Sequence, residues 1–163
     1  MPSPTYIPIA TTTLATATQT VSFTNITQQY RDLVIVFSGT LSVNGSLCID
    51  MNGDYSTNYY SVDMFGTGSG QGSGTGSYVA SVFFGRSYAI NSSQVVMATA
   101  NLMDYSASDK HKTMLTRGSA SGQLVEACVT RWANNSPVTT FRVFNNFGNI
   151  AAGTTISVYG VVS

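Results

Sequence analysis

Apolar and polar residues alternate along most of this chain, which is the periodicity of β-strands that bury one face. A continuous apolar run, LVIVF at 33–37, instead indicates a strand that is covered on both faces. No segment places apolar residues at helical spacing without also alternating. Further strand-like runs occur at 20–26, 46–51, 58–65, 78–84, 94–105, 112–118, 124–132, 138–144 and 154–162.

About nine or ten short strands, separated by Asn, Gly, Ser and Asp, are typical of sandwich folds. We therefore predict an all-β chain that folds as an antiparallel β-sandwich, jelly-roll-like in its connections. With 163 residues, the chain is expected to form a single domain over 1–163.

One segment departs from the apolar alternation. GTGSGQGSGTGS, residues 66–77, has no apolar side chain and has Gly at every second position. This composition predicts a flexible loop that extends between strands. A phosphate-binding loop is excluded, because such a loop needs Gly-Lys-Ser/Thr at the start of a helix, whereas this segment has no Lys and precedes a strand.

The N-terminal stretch MPSPTYIPI carries three prolines, so it cannot join a central strand. We expect an extended arm over about residues 1–10, with an ordinary edge strand as the alternative. The residues of this arm that are predicted to contact another subunit, of this chain or of a partner protein, are Tyr6, Ile7, Pro8 and Ile9. The stretch has neither a basic region nor a long apolar region, and no run approaches membrane-span length, so synthesis in a cytoplasm is expected.

Charge is scarce, which disfavours two classes of partner. Charged residues make up 9% of the chain, and seven Lys and Arg balance seven Asp and Glu. An ordinary globular domain has about a quarter. A neutral surface releases no counterions from phosphates or anionic lipids, so neither nucleic acid nor membrane is an expected partner.

The stretch CIDMNGDYSTNYY at 48–60 poses the question of a cation site, because Asp50, Asn52 and Asp54 alternate as in a calcium-binding loop. Such a loop also needs Gly at its sixth position and Glu at its twelfth, which here are Tyr55 and Ser61. Asn-Gly between two strand-like runs is instead a strong signal for a hairpin turn. We predict a turn, with cation binding as the alternative.

The two cysteines lie in apolar runs, Cys48 in LCI and Cys128 in ACV. Buried free thiols are the expectation for cysteines in such surroundings. A disulfide between neighbouring strands is the alternative, which sequence alone does not decide.

The titratable residues do not form a catalytic pattern. His111 is the single histidine and lies between two lysines, and most carboxylates flank turns, where Asp bonds the backbone. Glu126 lies within a predicted strand, on the face of Leu124 and Cys128, and pairing with Arg131 or Arg142 would explain it. We therefore predict no enzyme activity, no catalytic residues, no metal and no cofactor.

Four blocks together resemble a family of small β-rich virion proteins of tailed phages, especially phages of aquatic bacteria such as cyanobacteria. They are residues 6–39, MNGDYSTNY (51–59), NLMDYSASDKHKTMLTR (101–117) and the C-terminal block 131–163, which ends in Tyr-Gly-Val before its last two residues. The order and spacing of the blocks carry the resemblance. It implies a capsid decoration (cement) protein or a tail-fibre domain with a jelly-roll-like sandwich, and it supplies no catalytic residues.

Two functions follow as hypotheses. The first is a decoration protein on the capsid exterior, which binds the major capsid protein and stabilises capsomer junctions. A sandwich with few charges needs its strand edges covered, so self-association is expected, with a homotrimer favoured over a dimer. The alternative is a tail-fibre or adhesin module that binds host-surface glycans through Tyr55, Tyr59 and Tyr60.

Overall fold

The computed structural model describes residues 5–79, 81–84, 90–122 and 124–162. Within these residues the chain forms strands and turns and no helix, and thus no helix that is long and apolar enough to cross a membrane. The all-β prediction is confirmed. The strands are β1 Tyr6–Thr13, β2 Thr20–Phe23, β3 Asp32–Gly39, β4 Leu47–Met51, β5 Tyr59–Thr67, β6 Gly70–Val79, β7 Val82–Phe83, β8 Val96–Met103, β9 Lys112–Ala120, β10 Leu124–Trp132, β11 Phe141–Asn145 and β12 Thr155–Val161.

Eight of these strands form two four-stranded rows, β1-β12-β3-β8 and β2-β11-β4-β7, in which the first strand of the chain pairs with the last. The chain crosses between the rows in the manner of a jelly roll, so this part of the prediction is also confirmed. We call these eight strands the jelly-roll core. All named pairs are antiparallel.

Two inserted hairpins enlarge the first row. The β5–β6 hairpin is inserted between β4 and β7, and the β9–β10 hairpin between β8 and β11. They add to β8 in the order β9-β10-β5-β6 and produce an eight-stranded sheet. We call these four strands the sheet extension.

The interior of the jelly-roll core is apolar because its strands follow the period of two that buries one face. On β3, Leu33, Ile35 and Phe37 are fully buried. Aromatic rings link the two rows: Phe37 meets Phe84 edge-on with ring centroids 6.2 Å apart. Each fully buried side chain of this size contributes roughly 1.5–3 kcal/mol relative to an exposed one.

The segment 66–77 is not a loop, which corrects the prediction made from its composition. Its first two residues end β5, residues 68–69 turn, and β6 begins at Gly70. The alternation of Gly with Gln, Ser and Thr has the strand period, and larger side chains of β5 use the space that glycine leaves. A Cβ on Gly72 would lie 2.8 Å from the Phe65 ring, and one on Gly74 would lie 2.7 Å from the Asp63 carboxylate.

The N-terminal arm is also corrected for the residues that the structure describes. Residues 6–13 form β1, an edge strand that pairs with β12, and residues 1–4 lie outside the described part of the chain. Pro8 is accommodated because the strand lies at the sheet edge and has a register irregularity between Pro8 and Ala10. The edge-strand alternative therefore holds over residues 6–10.

The Asn52-Gly53 turn is confirmed, but it does not make a hairpin. Both residues have positive φ, 53° and 67°, and the Asp54 amide donates to the Met51 carbonyl at 2.9 Å. The strands on either side, β4 and β5, belong to different sheets. β4 pairs with β11 and β7 within the jelly-roll core, whereas β5 belongs to the sheet extension. The turn therefore connects the two regions.

Candidate functional site

The outer face of the sheet extension and of the adjoining β8 is exposed and apolar. It is formed by Val62 and Met64 of β5, Met97 of β8, and Val125 and Val129 of β10, each 48–67% exposed. Val129 is directly opposite Val62, and cross-strand partners on one face lie about 5 Å apart. These five side chains, the outer apolar face, therefore form a connected surface.

An open trough of about 800 Å³ crosses this side of the sheet, and three residues of the outer apolar face, Met64, Met97 and Val125, line it. The floor of the trough crosses six strands, from Val36 on β3 to Gln71 on β6. The volume of the trough lies within the range of ligand-binding pockets. Of the outward-pointing residues that the structure describes in the sheet extension, only Arg117 and Arg131 are charged. Arg117 lines the trough and Arg131 does not, so the trough suits an apolar surface that offers acceptors to the Arg117 guanidinium.

The inner face of the sheet extension is buried and mixes polar with apolar side chains. In the middle of β10 and β5 the inward residues include Glu126, Cys128, Thr130 and Asp63, each at most 7% exposed. Apolar side chains take the inward positions nearer the strand ends: Leu124, Trp132 and Tyr59. Burial raises the pKa of the Cys128 thiol, and the neighbouring Glu126 and Asp63 carboxylates raise it further. The usual arrangement, apolar residues inside and polar residues outside, is therefore reversed in the middle of these two strands.

Neither arginine that was predicted to pair with Glu126 does so. Arg131 lies on the opposite face of the same strand, with its guanidinium 4.7 Å from the centroid of the Tyr60 ring. Arg142 lies in the other sheet and is bound to Asp50. Glu126 and Arg131 are five positions apart, and an odd difference in position places two side chains on opposite faces of a strand.

A hydrogen-bonded cluster fixes the turn between the jelly-roll core and the sheet extension. The Asp54 carboxylate accepts from Trp132 Nε1 at 2.7 Å, from Asn58 Nδ2 at 3.1 Å and from the Ser56 amide at 2.8 Å. Burial alone would raise the pKa of Asp54, but these hydrogen bonds outweigh it and lower the pKa to about 2. Tyr59 stacks on Trp132, with ring centroids 6.3 Å apart.

The oxygens proposed for a cation site are used within the protein. Asp50 is fully buried and binds Arg142, whose Nε is 3.0 Å from Oδ2; burial raises the Asp50 pKa and Arg142 opposes the rise. Asn52 Oδ1 accepts the amides of Thr139 and Thr140. Across the described ranges, no three His, Cys, Asp or Glu side chains lie close enough to hold a metal ion. The stretch serves as a turn.

The tyrosines of the glycan hypothesis are not brought together. Tyr59 is fully buried, and its hydroxyl accepts from the Met51 amide at 3.0 Å and donates to the Asp54 carbonyl at 3.2 Å, so its assignment as a glycan contact is wrong. Tyr60 is half-buried on the outer face of β5. Tyr55 is exposed, with Arg142 over its ring at 4.4 Å.

The predicted capsid or subunit contacts all lie on β1. Tyr6 is 56% exposed, Pro8 is exposed, and Ile7 and Ile9 are half-buried. The structure keeps them at the sheet edge opposite to β6, away from the outer apolar face. Whether they contact another chain stays a prediction.

The cysteine prediction is confirmed. Cys48 and Cys128 are both free and buried, and they lie in different sheets. Burial is the main cause that raises the pKa of Cys48, to about 12. Neither thiol is therefore suited to act as a nucleophile at neutral pH.

Comparisons with known proteins give no family. No protein-family model matches the sequence, and no curated protein matches it. A tetrameric galectin from the ball sponge Cinachyrella sp. is structurally similar at 12% identity and a TM-score of 0.38, over 87% of this chain and 99% of the galectin. A protein of unknown function from Shewanella oneidensis MR-1 is similar at 9% identity and a TM-score of 0.24, over 96% of this chain and 75% of that protein. Similarities at these scores carry no conclusion about function.

Proposed function

We propose that this chain is a non-enzymatic capsid decoration protein of a tailed phage, which binds the major capsid protein on the capsid exterior through its outer apolar face. The observation that carries the proposal is the reversed polarity in the middle of β5 and β10. Val62, Met64 and Val125 are about 60% exposed, while Asp63 and Glu126 are buried beneath them. A connected apolar surface of this kind marks an interaction site on a protein.

The chemistry of this face favours a protein partner over a glycan. Sugar sites combine aromatic rings with many hydrogen-bonding groups. The trough is lined mainly by methionine, valine, alanine and glycine, and its outward-pointing polar residues are Gln71, Thr99, Ser119 and Arg117. The sequence resemblance to phage virion proteins supports the choice of the major capsid protein. Glycan binding by a tail-fibre or adhesin module is the alternative.

The proposal predicts binding that salt weakens little. Removal of apolar surface from water supplies most of the free energy, at roughly 25 cal/mol per Å². Electrostatic attraction to Arg117 and Arg131 would add a smaller part that is screened as the Debye length falls to about 3 Å at 1 M salt. We therefore expect the affinity to change less than about tenfold between low and high salt.

The test is sedimentation of purified protein with phage heads that lack it. Wild type is expected to bind at a fixed multiple of the capsid symmetry and to protect the heads against heat. The Met64→Gln/Val125→Thr double variant should bind at least about tenfold more weakly, because a lost methylene contact is worth about 0.8 kcal/mol. A Thr11→Ala/Thr13→Ala variant, altered at the β1 end of the same sheet, is the matched control.

Two outcomes would overturn the proposal. If the double variant and the control variant bind heads equally well, the outer apolar face is not the contact surface. If heads bind nothing while host cells or their surface polysaccharides bind the protein saturably, the decoration role is wrong. A Tyr55→Ala variant would then test the exposed tyrosine as a glycan contact.

A further inference from the structure

The two edges of the eight-stranded sheet differ in how well they are protected. The β1 edge carries Pro8, which lacks an amide hydrogen, and a register irregularity next to it. The β6 edge has ten residues with no charge and no proline, and within the described part of the chain β6 pairs with β5 alone. Proteins normally blunt such an edge or cover it.

The side chains that the structure describes on β6, those up to residue 76, leave its edge accessible. Its glycines face inward beneath the larger side chains of β5, as the close approaches of Gly72 to Phe65 and of Gly74 to Asp63 show. The alternate residues Ser73 and Thr75 are exposed, small and neutral. Nothing in this pattern repels a second strand, and a glycine-containing edge permits close approach of another backbone.

The trough of the outer apolar face reaches the same edge. Gln71 and Gly72 of β6 line it, so the trough extends to the last strand of the sheet. A strand added beyond β6 would continue the trough.

We propose that two copies of this chain pair through their β6 strands, antiparallel and about a twofold axis, so that their eight-stranded sheets become continuous. An antiparallel pair of identical strands is self-complementary, as a twofold interface requires. Ten residues at about 3.3 Å each give an edge roughly 33 Å long. At a sheet thickness of about 10 Å, each copy buries roughly 330 Å², well below the usual 800 Å². We therefore expect a weak dimer, with a Kd of about 100 μM.

The dimer would bring the two outer apolar faces side by side on one surface. This arrangement goes beyond the proposed capsid binding, because it concerns the free protein. It would let one dimer contact two capsid subunits, and linked sites of this kind raise the overall affinity without new contacts. The twofold pairing also differs from the threefold arrangement favoured by the sequence.

The test uses sedimentation equilibrium of the free, full-length chain, from about 1 μM to about 1 mM, a range that brackets the expected Kd. Wild type should pass from monomer to dimer. Thr75→Lys and Thr75→Glu should each remain monomeric, because like charges near the twofold axis repel, and an equimolar mixture of the two should form a heterodimer. Thr57→Lys, on an exposed loop residue, is the matched control and should dimerise as wild type does.

Hydrogen exchange supplies a second readout that does not depend on a variant. Amides of β6 should gain protection as the wild-type concentration rises, while those of β1 should not. A wild type that stays monomeric over the whole range, one that forms a trimer, or a dimer that Thr75→Lys leaves intact would overturn the proposal. Because no capsid is present, these results are independent of the head-binding test.

Discussion

The first row of the jelly-roll core and the sheet extension form one continuous sheet but differ in the polarity of their buried faces. In the core, the inward residues of β3 are Leu33, Ile35 and Phe37, all fully buried. In the extension, the inward positions of β10 include Glu126 and Thr130, also buried. Hydrogen bonding along the sheet is the same in both regions, so backbone pairing does not require that the apolar face be the inner one.

The outer faces of the two regions also differ, with polar side chains on the jelly-roll core at its β1 end and apolar side chains on the sheet extension. Where β1 meets β12, the outward side chains form a hydroxyl ladder, in which Thr11 donates to Ser157 at 3.1 Å and Thr13 lies 3.0 Å from Thr155. In the extension, Val125 and Val129 take the outward positions of β10. The polar end is suited to contact with water, and the extension is suited to be covered by a partner.

The largest expected effect comes from making the same substitution in each region. Val158→Ala, in the fully buried inner face of β12, should lower the free energy of unfolding by about 2.5 kcal/mol, from lost burial and a residual cavity. Val129→Ala, at a position 48% exposed on the outer face of β10, should change it by less than about 0.5 kcal/mol. Urea unfolding measures both.

Equal destabilisation by the two substitutions would break the comparison. It would mean that Val129 is covered within the monomer and that the outer apolar face is part of the chain's own core. Unchanged m-values for both variants are needed for this reading, because a changed m-value reports a changed unfolded state.

The second prediction concerns the joint between the two regions. The folded-state pKa of Asp54, about 2, lies below its ordinary value of 3.8. The carboxylate therefore stabilises the folded state fully above about pH 4, and this stabilisation is lost as the pH falls through about 2. We expect at most about 2 kcal/mol, because the side chain is partly exposed to solvent. Urea unfolding as a function of pH measures it.

Two variants make this prediction specific. Asp54→Asn should be less stable at pH 7 and should lose this part of the acid dependence. Trp132→Phe keeps an aromatic ring on Tyr59 but removes the indole N–H, so its acid dependence should shrink without vanishing. If all three proteins lose stability equally between pH 4 and pH 2, the Asp54 cluster does not hold the joint.

The strands were predictable from sequence because alternation is a local property. Period-two patterns predict most of them. The Asn-Gly pair predicts the turn because both residue types readily adopt positive φ, as Asn52 and Gly53 do in the structure. Composition alone predicts a loop at 66–77, whereas the alternation of its glycines has the period of the strand that forms there. The apolar side chain that fills the space beside Gly72 of β6 is Phe65, which lies on the neighbouring strand β5. The sequence of segment 66–77 alone does not predict this contact.

The outer apolar face does not follow from alternation alone. LVEACVTRW alternates, and the pattern correctly put Glu126 on one face with Leu124 and Cys128. The other face holds Val125 and Val129, and alternation does not state which face is the core. That choice is made by tertiary packing of the inserted hairpins. The sequence carries one signal for this face. β10 has apolar residues at both inward and outward positions, and a strand of this kind is usually covered by other groups on both faces.

The smallest expected effect is a difference in how readily the two regions open. Cys48 lies in the jelly-roll core and Cys128 beneath the sheet extension, and both are buried. The extension buries fewer apolar side chains on its inner face, so it should open locally at a lower free energy than the core. We expect Cys128 to react with a thiol reagent about tenfold faster than Cys48, which corresponds to about 1.4 kcal/mol between the two openings.

Cys48→Ser and Cys128→Ser variants separate the two rates. Equal rates that match global unfolding would show that the extension and the core open as one unit, and a faster Cys48 would reverse the order of stability that their burial implies.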